Sequence, residues 1–158
     1  MSIVPHLFLR DMLRSLDRTN EGSETNHYSP PLHCSLLAFA AALSDYPAMR
    51  RREIKGEFAK KAKQLLHDDL YQPRLSLVQA LAILSEYHSG IGQKEQAYMY
   101  LGMSIRATRA LDPRRVESQG PNHAELLWCL WSIYSQDKLM VRLHETQSVS
   151  RKLKSRRA

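Results

Sequence analysis

The sequence predicts an all-α protein, a bundle of about six helices joined by mostly short loops. Apolar residues recur at spacings of three and four along six segments, and no segment shows a convincing β alternation. Proline-containing pairs such as Ser29-Pro30 and Asp112-Pro113 stand where these periodic segments begin or end. With 158 residues and 43% hydrophobic content, the chain is long enough for one domain with its own core.

The positions of the first three helices are predicted from their apolar stripes and from the helix-breaking residues beside them. Helix one is expected over Pro5–Leu16, and a polar loop over 18–28 follows it. Helix two has Ser29 as its cap and Pro30 at its first position, ends at 45–47, and is apolar all round, which predicts that neighbours enclose it. Helix three is expected over 52–70. The predicted core stripe of helix one consists of Leu9, Met12, Leu13 and Leu16.

The last three helices follow the same logic. Ser76 and Gln79 have the spacing of a capping box, which predicts helix four over 77–88, with His88 on a face shared with Leu77 and Leu84. Helix five is expected over 93–111, and helix six starts at Asn122. The predicted core stripe of helix six consists of Leu127, Leu130, Trp131, Tyr134 and Val141. Its aromatic side chains are therefore expected in the core and not on a base-stacking surface.

The net charge of +7 is distributed unevenly along the chain. The last twelve residues carry five basic side chains and no acid, so residues 1–146 are close to neutral. A second basic group along 50–63 is interrupted by Glu53 and Glu57, a pattern typical of a solvated helix face. The most apolar stretch, 32–43, is too short for a membrane span, which needs about 20 residues.

No catalytic, cofactor or metal site is predicted, and the chain is not expected to be an enzyme. Cys34 and Cys129 cannot form a four-ligand zinc site by themselves. One alternative is a metal-dependent phosphohydrolase of the HD type, with His67-Asp68 as the pair and His33 and Asp137 as outlying ligands. A second alternative is a tetratricopeptide-like helical adaptor, because 92–113 has the small-aromatic pattern and closing proline of that repeat, although only once.

Several blocks, in order, resemble the fungal-specific transcription factor domain, the regulatory middle homology region of fungal zinc-cluster activators of the xylanolytic and nitrate-assimilation types. They are YSPPL at 28–32, LLAFA at 36–40, SDYP at 44–47, FAKKAKQLL at 58–66, LVQALAILS at 77–85, YMYLGMSIRA at 98–107 and LWSIYSQDK at 130–138. Two departures lie in the last block, where Leu130 replaces the first tryptophan of the family's pattern and Lys138 replaces its closing arginine.

The chain is expected to have three regions. An N-terminal helix and polar loop over 1–27 precede the part that resembles the family, the first part of the regulatory domain over 28–145. The tail over 146–158 does not resemble the family and is expected to be disordered, because it is basic and loses the helical periodicity. The resemblance implies a nuclear, non-catalytic regulator of transcription whose partners are the transcription machinery or other proteins, with a homodimer left open. Full-length members bind DNA through a six-cysteine zinc cluster. This chain has two cysteines, so zinc and DNA binding are expected only of a domain absent from it.

Two further sets of residues are assigned roles. Asp137 continues the apolar face of helix six, where a carboxylate needs a cation, so an ion pair with Arg106, or secondly with Lys138, is expected to lock helices five and six. The tail residues Arg151, Lys152, Lys154, Arg156 and Arg157 form a run of the nuclear-import type.

Overall fold

The protein is described by a computed structural model at residues 3–17, 27–71, 73–111 and 127–142, where every regular element is an α-helix, which confirms the all-α prediction. The helices are α1 (Pro5–Leu16), α2 (Pro30–Leu43), α3 (Arg52–Asp69), α4 (Leu75–Gly90) and α5 (Lys94–Ala110). Residues 127–142 are all helical and form the described part of α6. The predicted start of helix six at Asn122 lies outside the described residues.

Helix α4 is the centre of the bundle. Thirteen of its 16 residues are buried, and α2 and α5 pack along it on different sides, while α3 packs chiefly on α2. Leu77, Leu81 and Leu84 are at most 1% exposed and fill the space between these helices. The helix enclosed by its neighbours is therefore α4.

The prediction that α2 is enclosed is wrong. Its buried residues lie on one face, at Pro31, Leu32, Ser35, Ala38 and Ala41. Leu43, on the outer side, is 67% exposed. The reason is that α2 has α3 and α4 as its main neighbours, and these cover only part of its circumference. Its predicted start is confirmed, because the Ser29 hydroxyl accepts a hydrogen bond from the Leu32 N–H.

The predicted capping box of α4 is also wrong. The helix begins at Leu75, with Arg74 at the N-cap position and no side-chain cap. Ser76 and Gln79 thus lie inside the helix, where both are buried. Arg74, which follows Pro73, has an extended backbone, and the helix starts two residues earlier than the Ser-x-x-Gln spacing indicates.

The turn between α4 and α5 is fixed by its backbone. Gly92 has a φ of +81°, in the left-handed region that glycine adopts most easily. The Gln93 N–H donates to the His88 carbonyl at 2.9 Å, and the Gly92 N–H donates to that of Ser89 at 3.1 Å. These two bonds form a Schellman motif, which ends α4 and reverses the chain so that α5 runs back along it.

Two serines fasten α5 to α4. Ser85 of α4 donates to the Ala97 carbonyl of α5 at 2.7 Å, and Ser104 of α5 donates to the Val78 carbonyl of α4 at 2.9 Å. A hydroxyl reaches the backbone of a neighbouring helix only where the two helices come close, and small residues such as Ala82 permit this.

Helix α1 is attached by a polar and aromatic contact instead of the predicted leucine stripe. The Asp11 carboxylate, in a residue 3% exposed, accepts from the His27 N–H at 3.2 Å and pairs with Arg10 at 3.0 Å. Phe8 contacts the rings of Tyr28 and His33, with centroids 5.5 and 5.9 Å away. The predicted stripe is exposed, with Leu9 at 51%, Leu13 at 63% and Leu16 at 67%.

Helix α6 adds a second part of the core. Cys129 and Ile133 are buried and pack with Val78, Ala82 and Leu101 of α4 and α5. The Gln136 amide donates a hydrogen bond to the Glu86 carboxylate of α4. Among the helices that the structure describes, none combines the length and the apolar character that a membrane crossing requires.

Candidate functional site

The described chain has a concave groove between α3 and α5, which we call the α3–α5 groove. Helix α3 packs mainly on α2, and α5 packs on α4. Side chains of α3 line the groove together with the C-terminal end of α4 and with α5. The groove has two adjoining cavities of about 480 and 490 Å³, and Lys63 lines both. Each is within the size range of ligand pockets, about 300–1,000 Å³.

The first cavity is the polar end of the groove. Lys55 and Lys63, two turns apart on α3, face the α4–α5 turn, which contributes His88 and Gln93. The lining of this cavity contains two lysines and no carboxylate. Among the described residues, the lysine that forms an ion pair is Lys60, with Glu57 at 3.8 Å. The polar end therefore has an excess of positive charge.

His88 is held rigidly beside the polar end. Its residue is 1% exposed, and its ring stacks on Tyr100 with centroids 5.3 Å apart and planes 9° apart. His88 Nδ1 is hydrogen-bonded to the side-chain carboxamide of Gln93, with 2.6 Å between Nδ1 and the carboxamide oxygen. Among the described atoms, the other ring nitrogen, Nε2, is buried and has no hydrogen-bond partner.

Burial is the main influence on the ionisation of His88 and Tyr100. Burial lowers the pKa of His88; the hydrogen bond to Gln93 opposes this, and the Lys63 ammonium adds to it. Burial also raises the pKa of the Tyr100 hydroxyl. Both groups are therefore neutral near pH 7, and the formal charge of the groove comes from its exposed and half-buried side chains.

The second cavity is the apolar end of the groove. Its walls are apolar side chains of α3 and α5, with His67, Glu95 and Gln96 at the rim. The apolar side chains are Leu66, Leu70, Met99, Tyr100 and Met103. Methionine is flexible and polarizable, so a surface rich in it adapts to different apolar shapes.

An exposed aromatic face runs along α6. Trp131 is 65% exposed and Tyr134 is 54% exposed, and their rings meet edge to face with centroids 5.9 Å apart. Together with Leu127 and Leu130 they line a shallow cavity of about 330 Å³. The prediction that this stripe lies in the core is wrong, because α6 turns the narrower face of Cys129 and Ile133 towards α4 and α5.

The residues of the predicted ion pair lie at the surface of α5 and α6. Arg106 is exposed, Asp137 is half-buried, and the Lys138 ammonium lies 5.1 Å from the centroid of the Tyr134 ring. The ion pairs among the described residues include Arg10–Asp11 and Lys60–Glu57. The pairing of Arg106 with Asp137 is not among them and stays a prediction. The basic residues at 151–157 lie outside the described residues.

The residues of the phosphohydrolase alternative are separated from one another in the structure. His67 and Asp68 are exposed on α3, and the His67 ring packs edge-on against Tyr71. His33 lies beside Tyr28 near α1, with the Tyr28 hydroxyl 3.5 Å from its Nδ1. Within the described segments there is no group of three or more His, Cys, Asp or Glu side chains placed to share a metal ion.

Sequence reasoning did not predict the α3–α5 groove. It did place His88 on an apolar face of helix four, and a histidine within such a stripe was the available signal. The solvated face predicted for the lysines holds for Lys60, Lys61 and Lys63, which are exposed, whereas Lys55 is half-buried at the polar end. The groove depends on how α3 and α5 are placed around α4, and spacing along the chain does not reveal that.

Comparison with known proteins identifies the family. The family model of the fungal-specific transcription factor domain matches residues 3–144. The chain belongs to this family. The match confirms the resemblance and begins earlier than expected, so α1 and the segment after it lie within the region matched to the fungal-specific transcription factor domain.

Curated relatives of this fungal-specific transcription factor domain are transcriptional regulators. The nitrogen assimilation transcription factor nirA of Emericella nidulans is 32% identical over 107 residues, 63% of this chain and 11% of that protein. The nitrogen assimilation transcription factor nit-4 of Neurospora crassa is 42% identical over 55 residues, 33% of this chain and 5% of that protein. An uncharacterized transcriptional regulatory protein of Schizosaccharomyces pombe is 35% identical over 65 residues, 41% of this chain and 7% of that protein.

The chain therefore spans about a tenth or less of the length of the curated relatives it matches. No solved structure matches the chain significantly. The family assignment rests on the family model and on these relatives.

Proposed function

We propose that this chain is a regulatory, non-catalytic part of a fungal transcription factor that acts in the nucleus through contacts with other proteins. The observation that carries this proposal is the family match over residues 3–144. The two relatives named as nitrogen assimilation transcription factors support a role in controlling gene expression. In this proposal, zinc and DNA are bound by a separate cysteine-rich domain, since this chain has two cysteines.

The exposed aromatic face of α6 supports action through protein contacts. Tryptophan and tyrosine are enriched at the centres of protein interfaces, where they bury a large area with few rotatable bonds. Trp131 and Tyr134 stand together at the surface, and Lys138 lies over the Tyr134 ring. We assign this face the role of contacting a component of the transcription machinery or another regulatory protein.

A reporter assay tests this proposal. The full chain is fused to an unrelated DNA-binding domain and compared with that domain alone on a reporter gene. We expect the fusion to change transcription, and Trp131→Ser with Tyr134→Ser to reduce the change severalfold. Tyr46→Ser is the matched control, because Tyr46 is 75% exposed but lies outside α6. A fusion that leaves transcription at the level of the DNA-binding domain alone would contradict the proposal.

The basic residues at 151–157 are assigned to nuclear import. A cluster of lysines and arginines of this length is the pattern that import receptors recognise. Residues 147–158 fused to a fluorescent protein should concentrate it in the nucleus. The matched control replaces Arg151, Lys152, Lys154, Arg156 and Arg157 by glutamine, and equal distribution of both fusions would remove the assignment.

A further inference from the structure

We infer that the α3–α5 groove binds a small organic acid with an apolar body, the acid group between Lys55 and Lys63 and the body against Met99 and Met103. Three properties of the groove support this inference: the uncompensated charge of its polar end, the apolar walls of its other end, and the continuity between the two through Lys63. Ligand binding here does not depend on the transcriptional role proposed above.

The charge of the polar end selects an anion. Lys55 and Lys63 are separated by eight residues on one helix and line the same cavity of about 480 Å³. No carboxylate lines that cavity, so an acid group of a ligand can enter beside the lysines without displacing an acidic side chain. Hydrogen bonds between ammonium and carboxylate are roughly twice as strong as neutral ones.

The opposite wall of the polar end is preorganised. Gln93 is held twice by His88, once through its own N–H on the His88 carbonyl and once through its carboxamide oxygen on Nδ1. The His88 ring is in turn stacked on Tyr100. A wall fixed in this way loses little conformational entropy when a ligand enters, which favours binding.

The apolar end selects the body of the ligand. Lys63 stands where the two cavities meet, so a molecule with its acid group at this lysine extends its remaining atoms towards Leu66, Met99 and Met103. The cavity of about 490 Å³ there has room for several methylene groups or a ring. Each methylene removed from water contributes about 0.8 kcal/mol, or roughly fourfold in affinity.

The occupant is therefore an amphipathic monoacid and not an inorganic ion or a neutral lipid. Octanoate, acetate and octan-1-ol separate these classes, because acetate keeps the charge without the body and octanol keeps the body without the charge. Titration of the full chain with each, followed by calorimetry, should give octanoate a Kd at least about tenfold below both others. Equal binding of octanoate and octanol would overturn the inference, as would the absence of octanoate binding.

Substitutions locate the site. Lys55→Gln and Lys63→Gln should each weaken octanoate binding about threefold to tenfold and leave octanol binding unchanged. Lys60→Gln is the matched control on the same helix, since Lys60 is exposed and pairs with Glu57 outside the groove. Met103→Gln should weaken octanoate and octanol to a similar degree. A loss with Lys60→Gln equal to that with Lys63→Gln would place binding elsewhere.

A competing occupant is tested in the same experiment. An acidic amphipathic peptide offers the same charge and apolar surface on a larger scale. Three results together would show that the groove is a peptide-binding surface and that the small-ligand inference is wrong. The peptide would bind more tightly than octanoate, its binding would be lost with Lys63→Gln, and it would displace octanoate. If the peptide and octanoate do not displace each other, octanoate remains the occupant of the groove.

Discussion

The imidazole of His88 lies flat on the ring of Tyr100, with the two planes 9° apart, although His88 lies in the last turn of α4 and Tyr100 lies in α5. The Schellman turn at Gly92 brings them together, because it reverses the chain within a few residues. The same turn places Gln93 on His88 Nδ1. A local backbone motif thus builds one wall of the α3–α5 groove.

This arrangement predicts a pH dependence of stability. Burial lowers the pKa of His88 in the folded protein below the value of about 6.5 expected in the unfolded chain. Between those two values the unfolded chain binds more protons, so the stability that neutral His88 contributes is present above about pH 6.5 and is lost as pH falls through the folded pKa. Thermal unfolding of the wild type should therefore show a falling Tm from pH 7 to pH 5.

The variant His88→Phe isolates this effect. It keeps a ring for Tyr100 to stack on and removes the titrating group, while the other six histidines are shared with the wild type. We expect the wild type to lose more Tm than His88→Phe over the same pH range. Parallel pH profiles would show that His88 does not titrate differently in the folded and unfolded states.

Two serines of the core are expected to respond to alanine in opposite ways. Ser104 donates to the Val78 carbonyl of the neighbouring helix, so Ser104→Ala should lower the free energy of unfolding by about 1 kcal/mol. The hydroxyl of Ser76 is buried without a partner among the described atoms, so Ser76→Ala should be neutral or stabilising by up to about 1 kcal/mol.

Urea unfolding of both variants checks this pair, with Ser15→Ala on the exposed side of α1 as the control. The result also tests the start of α4. If Ser76 capped the helix, its loss would lower the free energy of unfolding by about 0.5–2 kcal/mol. A destabilisation of that size would therefore support the predicted capping box.

The burial of leucines predicts a large contrast between α4 and α1. Leu81 is 0% exposed at the centre of the bundle, so Leu81→Ala should destabilise by about 2–5 kcal/mol through lost burial and a cavity. Leu13 is 63% exposed, so Leu13→Ala should change stability by no more than about 0.5 kcal/mol. Chemical denaturation measures the free energy of unfolding of both variants. If Leu13→Ala lowers it by more than about 2 kcal/mol, the leucine stripe of α1 is buried in the core after all.

The predicted ion pair between Arg106 and Asp137 is expected to contribute little. Arg106 is exposed, and pairs in contact with water are worth about 1 kcal/mol or less. Arg106→Ala should therefore leave the free energy of unfolding within about 1 kcal/mol of the wild type. A loss of about 3 kcal/mol, abolished when Asp137 is already alanine, would reveal a buried pair instead.

The positions of the helices along the chain follow from local sequence patterns. Their apolar periodicity and breakers are local properties, so α1 was predicted at its observed bounds and α3, α4 and α5 within two residues of theirs. The family could also be recognised from the sequence, because ordered blocks of residues can be compared without knowing which residues are in contact. The family match over residues 3–144 confirmed it.

Which apolar face of each helix is buried depends on how the helices pack against one another. Helix α6 exposes the face with its larger side chains, as Trp131 illustrates. Helix α1 makes its contacts through Phe8 and Asp11, which leaves Leu13 exposed. Small residues such as Ala82, Ser104 and Cys129 let helices approach closely, so the buried faces are those whose shapes fit together. Fit between residues distant in sequence cannot be read from spacing along one chain, and the α3–α5 groove depends on the same fit.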